Sequence, residues 1–524
     1  MTLRPVLIDG QWRQANAESQ FQAFNPTNGD CLSDIYPVSS WQDCDAVLNA
    51  ASEAYQQLQQ VTRQQIAQFL NEYADLIEAN SQSIVEMANL ETGLPVTPRL
   101  ADVELPRTTS QLRQAASAAL NADWTMPIID SKNNIRAMLQ SIGPVAVFGP
   151  NNFPLAFGSA SGGDFAAAIA AGNPVIIKAH PSHPGTTRLM TELAFKAVQN
   201  VGLPEATVQL IYAMSNDSGL KLVGDARIAA TGFTGSRPAG LALKNAAEKA
   251  GKLIYLELSS INPVIVLPGA VVENADTIAN DFTNSCVMAA GQLCTKPGLL
   301  IVPDDASADK LVNTIAEKFS SAAVGTLLSP VSAEHIQNNI NTLIDGGAIE
   351  LTQASLEESP RFCQSNRLLS IKGQQFIEAS ELFQTEIFGN ASLIIRSKSV
   401  AQTHRIIEQL EGNLTGCFYS HSDGRDDDAY QLLEPVLRQK VGRILNDKMP
   451  TGVAVSPAMN HGGPFPAAGH PGFTAVGMPA AIKRFAALKC FDGVRQNRLP
   501  DILADRNPGD IWRQIDGRWT TESL

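Results

Sequence analysis

Pro144-Val-Ala-Val-Phe-Gly149, Pro174-Val-Ile-Ile-Lys178, Val208-Gln-Leu-Ile-Tyr212, Ile228-Ala-Ala-Thr-Gly-Phe233 and Leu253-Ile-Tyr-Leu-Glu-Leu258 are short apolar runs in order along the chain. The segments between them have helical character: a small-residue stretch over 160–171, then Thr186–Val201 and Gly235–Ala250. Short apolar strands alternating with helices predict βαβ units and a mostly parallel sheet. A ligand of such a sheet binds beyond the carboxyl ends of its strands.

Outward from this core, residues 40–125 read as helices, with apolar residues at helical spacing and Pro95, Pro98 and Pro106 as punctuation. A β-like stretch opens near 136. Downstream, Pro263–Leu267 and Gly298–Val302 read as strands of a second α/β region, with helices over 276–290 and from Ala308. The stretch 446–479 is rich in Gly and Pro and has little periodicity, which predicts a functional or bridging loop. The tail 480–524 is mixed.

The chain has 524 residues, enough for roughly three to four compact units at about 150 residues each. Hydrophobic residues make up 44% and charged residues 17%, which excludes a disordered chain. The net charge of −13 argues against nucleic acid and anionic membrane surfaces as partners. No apolar run reaches the roughly 18 residues of a membrane helix, and the first residues carry no secretory signal, so a cytoplasmic protein is expected. The seven cysteines are scattered without a C-x-x-C pair, which predicts reduced thiols and no metal site.

Several residues invite chemistry. Cys294, in Gly291-Gln-Leu-Cys-Thr-Lys-Pro-Gly298, follows a helix and precedes a glycine turn. Exposure to a cleft and to backbone N–H groups there predicts a lowered thiol pKa and a nucleophile; a buried structural cysteine is the alternative. Glu257 ends an apolar strand, where burial would fit it as a base; an edge-strand carboxylate in solvent is the other reading. Asn152, after a strand, is either an oxyanion donor or a turn residue. Gly232, Gly235 and Ser236 form a strand–turn–helix start suited to phosphate, though not a G-x-G-x-x-G motif. Lys178, with His180 and His183, has no Asp or Glu nearby between Asp164 and Glu192, a composition that tolerates a ribose 2′-phosphate; solvent-facing side chains are the alternative. His335, His404, His421, His461 and His470 show no ligand spacing and receive no role.

Taken in order, Pro150-Asn-Asn-Phe-Pro154, Lys178, Gly232-Phe-Thr-Gly-Ser236, Glu257-Leu-Ser-Ser260, Gly291-Gln-Leu-Cys294 and Glu386-Ile-Phe-Gly389 resemble the aldehyde dehydrogenase superfamily along nearly the whole chain. Lys178-Ala-His-Pro-Ser-His-Pro-Gly185, Thr234-Gly-Ser-Arg-Pro-Ala-Gly240 and Met459-Asn-His-Gly-Gly-Pro-Phe-Pro466 are similar to the α-ketoglutaric semialdehyde dehydrogenases within it, and several are shared with NADP-linked long-chain aldehyde dehydrogenases. Ser259, Leu293 and Asn390 depart from the family pattern of Gly, a large residue and Pro.

The resemblance implies an α/β fold: a Rossmann-type cofactor domain (1–120 and 145–256), a catalytic domain (257–477) and a small β oligomerisation arm (121–144 and 478–524). It implies Cys294 as nucleophile, Glu257 as base and Asn152 as oxyanion donor. It places NADP, with NAD possible, on Lys178, His180, Gly232, Gly235, Ser236, Glu386 and Phe388. Arg107 and Phe153 are expected to border an aldehyde substrate bearing a carboxylate, with Arg113 pointing elsewhere on the same helix. A homodimer or homotetramer follows. A long-chain or general aldehyde dehydrogenase is the second enzyme reading, and a non-catalytic relative is a reading of another class. Retention of Glu257 argues against an acyl-CoA-forming variant.

Overall fold

A computed structural model describes residues 3–352, 362–507 and 509–524. Its first sheet has the order Leu253–Glu257, Ala230–Thr234, Val145–Phe148, Val175–Lys178, Val208–Ile211, Val6–Ile8, Gln11–Arg13. The first five strands are parallel, as their apolar runs predict, and every residue of Val145–Phe148 and Val208–Ile211 is buried. Two short N-terminal strands that the sequence reading passed over extend this sheet antiparallel, with Leu7 opposite Leu210.

The strand order reverses between Val145–Phe148 and Ala230–Thr234, which are spatial neighbours despite their separation in sequence. Connections diverge to opposite sides at such a switch point and leave a crevice beyond the carboxyl ends of the strands. Helices Trp41–Leu58, Arg63–Ala79, Ser81–Thr92 and Leu105–Asn121 cover this half.

Strand Leu253–Glu257 runs directly into Pro263–Val266 of a second sheet, so residues 258–262 cross between the sheets. The second sheet has the order Ile349–Glu350, Arg367–Lys372, Ala391–Ser397, Leu299–Pro303, Pro263–Val266, Asn413–Tyr419, Val441–Asn446, parallel except for its first strand. Its two faces are buried under separate apolar clusters, one around Ile265, Ile301 and Phe376 and one around Val264, Leu300 and Phe282. The helix of this region begins at Pro268 rather than 276, and it breaks at Asn274, whose φ/ψ is non-helical.

Residues 121–144 and the tail form a third sheet: Ala486–Asp492, Ile135–Ser141, Ile128–Asp130, Arg513–Ile515, Arg518–Thr520. Between 447 and 479 there is no helix or strand. This segment is tied down by backbone bonds to both large sheets. Leu258 N–H donates to Ala467 O (2.8 Å), Gly469 N–H to Leu256 O (2.9 Å) and Gly412 N–H to Phe465 O (3.2 Å). It covers the open edge of the first sheet, whose last strand would otherwise present unpaired backbone groups. Among the described residues no helix is long and apolar enough to cross a membrane.

Candidate active site

The crevice at the switch point is a cavity of about 370 Å³. Its walls come from the residues that follow four parallel strands: Asn152 after Val145–Phe148, His180 after Val175–Lys178, Gly235 and Ser236 after Ala230–Thr234, and Glu257 and Ser259 from the last strand onward. The second sheet closes the other side with Cys294, on the loop entering Leu299–Pro303, and with Glu386 and Phe388 before Ala391–Ser397. Eight of the sequence-proposed residues therefore share one cavity.

At its floor Glu257 is 1% exposed. His461 Nε2 lies 2.9 Å from Glu257 Oε1 and 3.5 Å from Cys294 Sγ. Glu257 Oε2 is buried without a hydrogen-bond partner. The thiol does not have the lowered pKa expected from its local sequence. Burial pushes it well above the ordinary cysteine value, and the charge of Glu257 pushes it further, with Arg107 opposing. The local pattern missed this because the dominant neighbours arrive from distant segments.

The loops carrying these groups are held from behind. Residues 289–291 all have positive φ (51°, 54° and 70°), a rare conformation for the two alanines. At Gly291 a side chain would strike the carbonyl of Gly389, so the cysteine loop and the Glu386 turn pack backbone to backbone. Lys296 Nζ bridges them, donating to Ile387 O (2.7 Å) and Ala391 O (2.6 Å). Asn262 Nδ2 donates to Cys294 O at 2.8 Å, and Asn413 Oδ1 accepts from Ile261 N–H and Asn262 N–H at 2.8 and 3.1 Å. The crossover carrying Glu257 and the loop carrying Cys294 are thus fixed to each other.

Asn152 Nδ2 donates to Gln292 O at 2.8 Å, which uses one of its two amide hydrogens. Its loop rests on Glu104, a fully buried carboxylate that pairs with Arg99 (2.5 Å) and accepts from Leu155 N–H and Ala156 N–H at 2.8 and 3.0 Å. Arg99 in turn donates to Asn152 O at 3.0 Å. Glu386 is buried, which raises its pKa, and accepts from the Ser259 hydroxyl and Ser260 N–H. The departure from glycine at 259 therefore supplies a hydrogen bond to Glu386.

Other expectations need correction. Gly232 does not line the cavity: it sits inside its strand against Asp164, which pairs with Arg484 at 2.7 Å. His183 does not face a cofactor. It is fully buried, with Nε2 2.9 Å from Pro150 O, and so braces the Asn152 loop. Phe153 lies outside the cavity wall, under Arg99 (4.0 Å to the ring centre) and edge-on to Phe157. His461 and His335 were given no role, yet His461 joins the floor and His335 the wall. Glu257, Cys294 and His461, remote in sequence, place one potential ligand atom each within 4.8 Å of one another.

Lys178, expected at the cofactor, ends its strand half-buried and outside the cavity wall, with no carboxylate partner among the described residues; burial lowers its pKa to about 8. The same effect, with the charges of His183 and Lys178, keeps His180 well below the usual histidine value. Arg107 donates to Val453 O and lies 5.0 Å from the Phe157 ring centre, while its Nε and Nη2 are buried without partners. Burial lowers its pKa to about 10. Phe157 also contacts the His461 ring at 5.3 Å, so Arg107 is one ring removed from the floor. Arg113 turns away to pair with Asp75 and Glu78, as its place on the helix predicts. Arg443, missed in the sequence, donates to Pro450 O at 2.7 Å, and burial lowers its pKa.

The chain and its fold are similar to those of known proteins. The chain is 35% identical over 530 residues to α-ketoglutaric semialdehyde dehydrogenase 2 of Azospirillum brasilense, covering 99% of this chain and all of that one. It is 35% identical to the α-ketoglutaric semialdehyde dehydrogenase of Acinetobacter baylyi, covering 97% of each. The fold superposes with a TM-score of 0.79 on the NADP-dependent glyceraldehyde-3-phosphate dehydrogenase of Bacillus halodurans complexed with NADP, at 20% identity over 94% of this chain and all of the other. The profile of the "Aldehyde dehydrogenase family" matches residues 12–455. The chain belongs to the aldehyde dehydrogenase family.

Proposed function

We propose that this enzyme oxidises α-ketoglutaric semialdehyde to 2-oxoglutarate through a thioester on Cys294, using NADP. The observation that carries the reading is the cavity floor, where a thiol, an imidazole and a carboxylate meet beside the Asn152 amide.

Cys294 Sγ attacks the aldehyde carbon as its proton passes to the His461–Glu257 pair. The resulting oxyanion takes hydrogen bonds from the free Asn152 amide hydrogen and the Cys294 N–H. A bound nicotinamide supplies the hydride acceptor that turns this adduct into a thioester. Glu257 Oε2, buried and without a partner among the described residues, then accepts a proton from water, whose oxygen attacks the thioester and releases the acid, while the departing thiolate takes back the proton that the His461–Glu257 pair received. His461 holds Oε1, leaving Oε2 as the free acceptor.

The residues suit a nicotinamide dinucleotide. Ser236, whose side chain makes no cap bond, opens the helix Arg237–Lys249 at the strand-order reversal and would meet the pyrophosphate with Gly235. Glu386 and Phe388 would hold the nicotinamide ribose and ring, with His180 at the adenosine end. Lys178, a half-buried cation with no ion-pair partner among the described residues, favours a 2′-phosphate and hence NADP. Arg107, outside the cavity wall and one ring removed from the floor, has two nitrogens unpartnered among the described residues, which favours a substrate carboxylate. The exposed edge strand Ala486–Asp492, with Leu488 63% exposed, supports pairing of subunits into a homodimer or homotetramer. Seven free thiols fit a reducing cytoplasm.

The test is cofactor reduction by the purified protein with α-ketoglutaric semialdehyde, a glutaraldehyde-type semialdehyde and a long-chain aldehyde, each with NADP and with NAD. The reading requires kcat/KM to be highest for the keto-acid semialdehyde with NADP. A preference for the long-chain aldehyde keeps the chemistry and removes the carboxylate subsite.

A further inference from the structure

The floor of the cavity combines three donor types that differ from the oxygen sets preferred by magnesium and calcium. A thiol sulfur, an imidazole nitrogen and a carboxylate oxygen converge within 4.8 Å from three remote parts of the chain. Soft and borderline donors of this kind select zinc and its relatives. Zinc bonds of about 2.3 Å to sulfur and about 2.0–2.2 Å to nitrogen and oxygen give tetrahedral edges of roughly 3.4–3.6 Å. The Cys294 Sγ to His461 Nε2 separation is already 3.5 Å. The His461 Nε2 to Glu257 Oε1 separation of 2.9 Å must open by about 0.5 Å, as the ion replaces the proton between these atoms.

Other observations favour occupancy. Glu257 Oε2 is buried without a hydrogen-bond partner among the described residues, so the carboxylate keeps a second acceptor free when Oε1 binds the cation. The backbones of the three ligands are cross-tied through Asn262 to Cys294 O and through Leu258 N–H to Ala467 O, so the set is held before any ion arrives. The cavity opens on the side of Cys294 and Glu257, leaving room for a water as fourth ligand.

We propose that Cys294, His461 and Glu257 form a zinc-binding site, and that zinc is a reversible inhibitor of this enzyme. On binding, a Zn–S bond forms and the thiol proton leaves to solvent. The imidazole proton, where it sits on Nε2, shifts to Nδ1 as the Zn–N bond forms, and Glu257 Oε1 completes the protein ligands. No electron is transferred. The metal occupies the sulfur lone pair needed to attack an aldehyde, so the inhibitory consequence rests on the function proposed above; the binding itself does not.

The full-length protein is titrated with Zn²⁺ against a chromophoric zinc indicator, and in parallel with Co²⁺, in the absence of substrate and cofactor. The expected result is one tight equivalent of zinc. Cobalt should give a thiolate-to-metal charge-transfer band with the intense visible bands of a four-coordinate ion. Cys294→Ser should abolish the charge-transfer band. His461→Asn and Glu257→Gln, each checked for an unchanged unfolding transition, should weaken zinc binding at least tenfold. Zinc should slow carboxymethylation of Cys294 at least tenfold, with recovery on adding EDTA, whereas Mg²⁺ should leave it unchanged. The proposal is overturned if the cobalt complex lacks the charge-transfer band, or if Cys294→Ser or His461→Asn binds zinc as tightly as the parent. Since these readouts require no turnover, an inactive protein that binds zinc refutes only the proposed function. An active one that does not refutes only the metal site.

Discussion

Replacing Arg107 by leucine separates carboxylate recognition from the chemistry of the floor. The guanidinium spends one nitrogen on Val453 O and leaves Nε and Nη2 without partners. With its pKa lowered to about 10, it is still a cation at pH 8. A hydrogen bond from a charged donor contributes about 1.5–3 kcal/mol, which is roughly 10- to 150-fold in kcat/KM. A two-nitrogen grip on a carboxylate belongs in the upper part of that range. Leucine keeps an apolar contact with Phe157, and the lost bond to Val453 affects every substrate alike. The informative quantity is therefore the ratio of kcat/KM for α-ketoglutaric semialdehyde to that for an uncharged aldehyde of similar length, measured by NADPH absorbance. It should fall by about 30- to 100-fold in Arg107→Leu. An equal fall for both aldehydes would mean that Arg107 only supports the loop around Val453, and the assignment of the carboxylate subsite would be wrong.

Asn152→Ala should lower kcat by about 10²–10³ with little change in the melting transition, as one oxyanion donor is lost; a drop under tenfold would remove Asn152 from that role. Lys178 is cationic below about pH 8 and neutral above it, because burial lowers its pKa. KM for NADP should therefore climb above pH 8 while KM for NAD stays flat, and parallel pH profiles would rule out a 2′-phosphate contact. Glu104→Gln leaves the Arg99 guanidinium, only 11% exposed, without its carboxylate, and should cost about 3–5 kcal/mol in denaturant unfolding. A loss below 1 kcal/mol would show that the loop after Asn152 is held by other means.

The parallel strands of both sheets were legible because their residues lie in short apolar runs flanked by helices. The three-residue strands at Val6–Ile8 and Gln11–Arg13 are too short to show a period; the first is fixed by pairing with a strand some two hundred residues away and the second by pairing with the first. Cys294 and Glu257 stood out by local pattern and by order along the chain. His461 did not, since it lies 204 residues from Glu257 and 167 from Cys294 in a stretch with no periodicity. The only signal was its place in Met459-Asn-His-Gly-Gly-Pro-Phe-Pro466, quoted for its likeness to relatives rather than for chemistry. The thiol environment was misjudged for the same reason. Gly232 looked like part of a phosphate turn because sequence spacing cannot reveal Asp164 packed against it.

The segment 447–479 gives the enzyme a direction in time. Ribosomes deliver Glu257 first, then Cys294, and His461 only near the end of the chain. Domains emerging first can fold first, so a nascent polypeptide can hold Glu257 and Cys294 in place while His461 and the strip covering the first sheet's edge are still unmade. A chain stalled before residue 461 is then left with an open edge strand at Leu253–Glu257 and an incomplete floor.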